Sequence, residues 1–379
     1  MRCFMKVLLL PFIFIFLPII VQADTPMLEN KVDKELSSHL HDSLDNKYQL
    51  NTEDNLDAHF SPAINDFWNK HAQIKTFESE VGGTINTVHI KTGQSNAVVI
   101  SQGRNESVLK YKELAFDLSH QGYDVFLIDH RGQGFSSRLG GDAYRGHVQE
   151  FGDYVTDLKT FVNSLQLEQH YQSRFILSHS MGSAISALYL EQQQHPFSAA
   201  VFFSPMFSIN LGEMPTFIAK IISYISYTIC GWFSDVACYA PGVGPYIQSA
   251  FEGNILTSSP KRYQSSSHTF TASPETQLGG PTMRWVNKSL FATENAIKNA
   301  SQITIPVMVV QAGADKVVTG QGQQTFFENL GNCKNNTFIN IKDARHEILL
   351  EQDKYRIPAI NQTLDFFQQS QQGKLSCIK

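Results

Sequence analysis

The chain has 379 residues, 42% of them hydrophobic and 17% charged, with a formal net charge of −5. That is a globular balance, and the length fits either two domains or one α/β fold carrying an insertion. The mild negative charge, without a basic run or aromatic residues interleaved with basic ones, argues against a nucleic-acid partner.

Arg2 and Lys6 precede an apolar run over 7–21, and Val21-Gln22-Ala23 follows with small residues suited to cleavage. The three features read as a secretory signal over 1–23, making the mature protein periplasmic or secreted. The competing reading is an uncleaved membrane anchor over 7–21, against which stand the short run and Pro11 and Pro18. With Cys3 in the signal, Cys230, Cys238, Cys333 and Cys377 remain, an even number with three possible connectivities. Local pairing, Cys230 with Cys238 and Cys333 with Cys377, is expected. None of the four has metal-site spacing.

Residues 24–60 are polar and aperiodic and read as a mobile or loosely docked leader. Ile74–Glu80 and Thr84–Lys91, around Gly82-Gly83, predict a hairpin. Ala97–Ile100 is a continuous apolar run, the pattern of a strand covered on both faces. Gln102–Ser107 leads into a helical period through Leu109, Leu114 and Leu118, and Asp124–Asp129 is the next strand. The glycine-rich turn His130–Ser136 lacks the lysine and spacing of a phosphate-binding loop. Phe151, Tyr154, Val155, Leu158, Phe161, Val162 and Leu165 repeat at helical spacing.

The stretch Phe175–Ala184 is the most informative. An apolar run breaks into Ser178-His179-Ser180-Met181-Gly182 and passes directly into small, helix-forming residues. That is the strand, sharp turn and helix of a nucleophile elbow, with Ser178 where the usual pattern has glycine. Further strands follow at Ala199–Ser204, Pro306–Gln311 and Thr337–Ile341. Strands alternating with helices predict an α/β class, a mostly parallel sheet covered on both faces, with its core over 61–204 and 304–379. Between them the alternation stops, and 205–303 reads as a cap (lid) insertion. In it, Trp285, Arg284, Ile221 and Ile225 are the candidate substrate-binding residues. The apolar run Phe217–Ile225 has two readings: it grips an acyl chain or leans on a membrane surface, or it packs the insertion's own small core.

A serine nucleophile needs a base, the base an orienting acid, and the developing oxyanion needs donors. Asp315 follows the strand ending at Gln311, and His346 follows the strand ending at Ile341, in the chain order Ser, Asp, His. The expected roles are nucleophile for Ser180, base for His346 and orienting acid for Asp315, with the backbone N–H groups of Arg104 and Met181 as oxyanion donors. Asp343 is the alternative acid, but stands close to His346 in sequence. His130 and His179 read as structural neighbours of the site. Glu106 reads as a tie for the oxyanion loop or as a solvated helix start. Asn105, Asn287, Asn299, Asn335 and Asn361 head sequons; a glycan at Asn105 would block the site, so these read as chance matches.

With these residues in view, the chain resembles α/β-hydrolases of the monoacylglycerol lipase and lysophospholipase group, and within it bacterial lysophospholipases of the L-two type. The resemblance spans about 98–367 and is carried by Gly103–Ser107, Ile128–Gly134, Gly146–Val148, Ser178–Gly182, Gly279–Thr282 with Trp285, and Arg345–Leu349. It implies hydrolysis of a monoacyl lipid ester, a lysophospholipid first, without metal or cofactor. A monoacylglycerol lipase or general carboxylesterase is the nearest alternative. An aminopeptidase would need carboxylates in the cap to hold an amine, and 205–246 contains only Glu213 and Asp235. A non-catalytic secreted binding protein is the remote alternative.

Overall fold

The computed structural model describes residues 45–375 and 377, apart from 58, 193, 332 and 334. The signal or anchor expected over 1–23 lies outside the described residues. Among the described residues eight strands form one sheet: β1 (Ala72–Glu78), β2 (Thr84–Ile90), β3 (Asn96–Ser101), β4 (Tyr123–Ile128), β5 (Ser173–His179), β6 (Ala199–Phe203), β7 (Val307–Ala312) and β8 (Thr337–Ile341). Their order is β1-β2-β4-β3-β5-β6-β7-β8. β1 and β2 form the expected antiparallel hairpin and β2 pairs antiparallel with β4; every later pairing is parallel.

Period-two alternation in these apolar strands feeds two cores at once. On one face Val99, Phe126, Ile176, Phe202 and Val309 meet α3 (Gly152–Ser164) and α4 (Met181–Leu190) through Leu158, Phe161 and Ile185. On the other, Val98, Val125, Phe175, Val201 and Met308 meet α2 (Lys112–His120) and α9 (Asp353–Gln371) through Leu114, Leu118, Ile360 and Leu364. Two further core helices are α1 (Pro62–His71) and α8 (Gly320–Asn329), and a single helical turn, Leu167–His170, precedes β5.

Between β6 and β7 run α5 (Thr216–Phe233), α6 (Pro260–Ala272) and α7 (Met283–Asn299). α5 lies on α7, where Asn287 Nδ2 donates to the Lys220 carbonyl at 2.9 Å and to Ser223 Oγ at 3.0 Å. The disulfide Cys230–Cys238 staples the end of α5, and Cys333–Cys377 ties the chain after α9 to the turn before β8. Both pairings are those expected from the sequence.

Residues 45–60 correct the reading of a loosely docked leader. Leu50, Leu56 and Phe60 are buried. The Asn51 amide donates to Asp117 Oδ1 at 2.8 Å, its side chain donates to Glu113 Oε1 at 2.8 Å, and its carbonyl accepts from Arg356 at 3.2 Å. Asn51 thus satisfies buried charges on α2 and α9, while Lys47, Gln49, Asp54 and Asn55 stay exposed on the outer side of the segment.

Candidate active site

Parallel strands in register end on a common edge of the sheet, and the site stands on that edge. The turn Gln102–Arg104 follows β3, Ser180 follows β5, Asp315 follows β7 and His346 follows β8.

Ser180 occupies φ 50° and ψ −117°, a left-handed conformation for a residue with a side chain. The surrounding bonds over-determine it: its N–H donates to the Phe203 carbonyl at 3.0 Å, while its own carbonyl accepts from Ser183 and Met206, each at 3.0 Å. Glycine two residues later is a steric requirement, because a Cβ at 182 would fall 2.1 Å from the Ser101 carbonyl oxygen. No such crowding excludes serine at 178. Its hydroxyl lies 2.7 Å from that of Ser186 on α4, so the departure from glycine is absorbed by a small polar partner.

His346 Nε2 lies 2.9 Å from Ser180 Oγ, and His346 Nδ1 lies 2.7 Å from Asp315 Oδ2. Asp315 is itself oriented: its Oδ1 accepts from the amides of Val317 at 2.8 Å and Val318 at 3.1 Å. Asp343, the alternative acid, is exposed at a left-handed turn with φ 64°. The Met181 amide opens α4, where the helix N-terminus favours negative charge. Among the described residues neither the Met181 nor the Arg104 amide has an internal acceptor.

The loop bearing Arg104 is held from three sides. Glu106 accepts from the Gly103 amide, which supports the tie reading over a solvated helix start, and it is buried. Gln133 donates to the Gly103 carbonyl at 2.7 Å. The Arg104 guanidinium donates to the Gly279 carbonyl at 2.8 Å and lies 5.0 Å from the Trp285 ring centroid. Burial brings that guanidinium down to about 10.

The glycine-rich turn after β4 serves as scaffold. Asp129 accepts from the amides of Val108 at 2.9 Å and Phe135 at 3.0 Å, and from the side chains of Gln102 at 2.6 Å and Asn86 at 2.9 Å. Gly134, at φ 54°, has no room for a Cβ, which would lie 2.1 Å from the Asp129 carboxyl carbon. His130 sits 2.9 Å from Ser101 Oγ, and burial pushes it down to about 3, so it is a neutral structural neighbour.

Ser180 and His346 open on a cavity of about 710 Å³ between the sheet edge and the insertion. Met206, Ile209, Val243, Leu278, Trp285 and Val318 give it apolar wall, and Gln248, Ser249, Tyr263, Ser266 and Ser267 a polar stretch. Trp285 is thus in the site, but the other three candidate substrate contacts are not. Ile221 and Ile225 are 55% and 50% exposed on the outer face of α5, because that helix turns its Ala219–Ser223–Cys230 face to its neighbours. Arg284 donates to the Gln149 carbonyl at 3.0 Å, since one residue along α7 rotates a side chain by about 100° away from Trp285. The sequence reading passed over the side chain of Arg104 and over Gln133; only their bonds, to residues distant in sequence, mark them.

The fold and this site are those of an α/β-hydrolase. The model of the family described as serine aminopeptidase, S33 matches residues 93–353, and the chain belongs to that family. Over 280 residues it is 39% identical to lysophospholipase L2 of Escherichia coli strain K12, covering 71% of this chain and 79% of that protein. Over 259 residues it is 34% identical to a probable lysophospholipase L2 of Haemophilus influenzae, covering 68% and 79%. A soluble variant of the monoglyceride lipase from Saccharomyces cerevisiae, solved with a substrate analogue, superposes with a TM-score of 0.61 at 20% identity, over 79% of this chain and 95% of that one.

Proposed function

We propose that the protein is a serine ester hydrolase that releases the fatty acid from lysophospholipids. The observation that carries this is the hydrogen-bonded line Asp315–His346–Ser180, opening on a cavity of about 710 Å³ with an apolar wall. His346 takes the Ser180 proton as Oγ attacks the acyl carbonyl, and Asp315 holds the imidazole tautomer and balances its charge. The Arg104 and Met181 amides receive the oxyanion, each contributing about 3 kcal/mol in the transition state. His346 then protonates the departing alcohol, and water, deprotonated by the same ring, releases the fatty acid from the acyl-enzyme. None of these steps calls on a metal or cofactor.

The lysophospholipase reading, rather than monoacylglycerol lipase or general carboxylesterase, is supported by the E. coli and H. influenzae relatives named above. Amine recognition has little support: among the described residues Glu347 is the one carboxylate lining the cavity, and Lys110 pairs with it at 2.8 Å. Catalysis rather than mere binding is supported by the complete line of three residues. The insertion acts as a cap, and the exposed α5 face, with Phe217, Ile221, Ile225, Trp232 and Phe233 between 50% and 84% exposed, would rest on a lipid surface. Two disulfides support an exported location.

The deciding experiment follows fatty-acid release from lysophosphatidylcholine, lysophosphatidylethanolamine and monoacylglycerol by the wild-type protein and Ser180→Ala. Faster cleavage of the lysophospholipids with a silent mutant is expected. Cleavage of monoacylglycerol alone would remove the head-group assignment, and full activity in Ser180→Ala would remove the nucleophile.

A further inference from the structure

Beneath the Gly103–Arg104 turn lies a set of buried ionisable groups that the reaction above leaves without a role. Glu106, Lys110, His179 and Glu347 are all less than 10% exposed. Glu106 Oε2 accepts from the Gly103 amide and from Tyr111 Oη at 2.7 Å. Lys110 Nζ lies 3.4 Å from Glu106 Oε1 and 2.8 Å from Glu347 Oε1. With donors on every side, the Glu106 carboxyl is ionised, and the Lys110 charge and the His179 ring hold it below the usual carboxylate range against its burial.

His179, the residue before Ser180, places a ring nitrogen against each of two oxygens. Nε2 hydrogen-bonds the backbone oxygen of His346 at 3.2 Å, while Nδ1 lies 3.2 Å from Glu106 Oε1 at ion-pair distance, without hydrogen-bond alignment. A carboxylate and a carbonyl are both acceptors, while a neutral imidazole carries a single N–H. With Nε2 donating to the carbonyl, a neutral ring leaves Nδ1 bare beside the carboxylate, whereas a charged ring sets its positive charge within ion-pair distance of it. The charge count agrees, because two carboxylates face one ammonium, and a charged His179 brings the set to zero.

We propose that His179 is a buried imidazolium in the resting protein and a positioning residue, holding the oxyanion turn through Glu106 and the base loop through the His346 carbonyl in one geometry around Ser180. The catalytic part of this rests on the Ser180 reading above; the protonation part does not. Burial opposes the charge, and the Glu106 carboxylate offsets it and keeps the ring above its ordinary value. The groups facing the ring are Glu106, Lys110 and Tyr111 from the segment after β3, and His346 and Glu347 from the loop after β8.

The test is ring-nitrogen NMR on the full chain labelled with ¹⁵N-histidine, with kinetics on His179→Gln and Glu106→Gln. At about pH 8 an ordinary imidazole is neutral, yet both His179 nitrogens are expected to carry protons. The ring in Glu106→Gln is expected to titrate at lower pH. His179→Gln is expected to lose about 10- to 100-fold in kcat with little change in KM, as for a displaced catalytic group. Should that variant not fold, Glu106→Gln carries the kinetic arm with the same expectation. A singly protonated ring at that pH overturns the imidazolium, and an unchanged kcat in the variants overturns the positioning role. Ser180→Ala leaves the NMR result intact, so failure of the nucleophile reading shows separately.

Discussion

The backbone of Gly182 lies so close to Ser101 that a Cβ would come within 2.1 Å of its carbonyl oxygen and 2.5 Å of the next one, at Gln102. This contact fixes the start of α4 against the end of β3, and with it the position of Ser180. Gly182→Ala must push the two apart. We expect a stability loss of about 1–3 kcal/mol in urea unfolding, as for other overpacked sites, with kcat falling together with it. Ser178→Gly loses only the Ser186 contact, about 1 kcal/mol, and keeps its activity.

Asp315→Asn should leave the fold intact, because Oδ1 can still accept from Val317 and Val318. The new amide then donates to His346 Nδ1 and reverses the ring tautomer. A loss of about 10⁴-fold in kcat is expected, with the melting temperature nearly unchanged. Activity within tenfold of wild type would move the orienting role elsewhere.

Trp232 and Phe233, 73% and 84% exposed at the end of α5, have no packing role to lose. Replacing both by serine should weaken vesicle binding by about tenfold or more, from the apolar area no longer buried in lipid. Hydrolysis of a soluble short-chain ester should be unaffected. Equal vesicle binding in flotation would exclude this face as the lipid contact.

Arg262 of α6 is 1% exposed, donates to Glu113 at 2.8 Å and to the Glu351 carbonyl at 2.6 Å, and lies 2.8 Å from Asp353 Oδ1 as an ion pair. It joins the insertion to α2 and to the start of α9. Arg262→Ala strands the buried Glu113 carboxylate, and breaking such a pair costs about 3–5 kcal/mol. Faster amide exchange along α6 should accompany the lower denaturation midpoint.

Glu191, which closes α4, is buried, and that burial pushes its carboxyl up to about 8 from 4.5. Between those values the folded protein binds more protons than the unfolded chain, so stability falls as pH rises through the window. Glu191→Gln should flatten this slope in unfolding experiments between about pH 5 and 8. An identical slope in the variant would assign the loss to another group.

The strands, the elbow and the loop positions of Asp315 and His346 were legible because their signals are local: apolar runs of strand length, a break at small residues, and polar residues just past a strand. Ser180, Asp315 and His346 come together because parallel strands deliver their C-terminal ends to one edge of the sheet, a consequence of strand order rather than of any single window. The choice of Asp315 over Asp343 became geometric only when His346 Nδ1 met Asp315 Oδ2. Contacts between distant segments left little trace in the chain. Trp285 and Arg284 are neighbours in sequence yet point about 100° apart, and α5 is rich in apolar residues, so only its seating on α7 decided which face stays bare. Asn51 looked like part of a solvated leader because the buried charges it satisfies lie on α2 and α9. His179 reads as one more polar residue until Glu106 and the His346 carbonyl are placed on its two nitrogens. Local periodicity determines what a segment is; burial, charge and orientation are set by what packs against it, and that is decided in three dimensions.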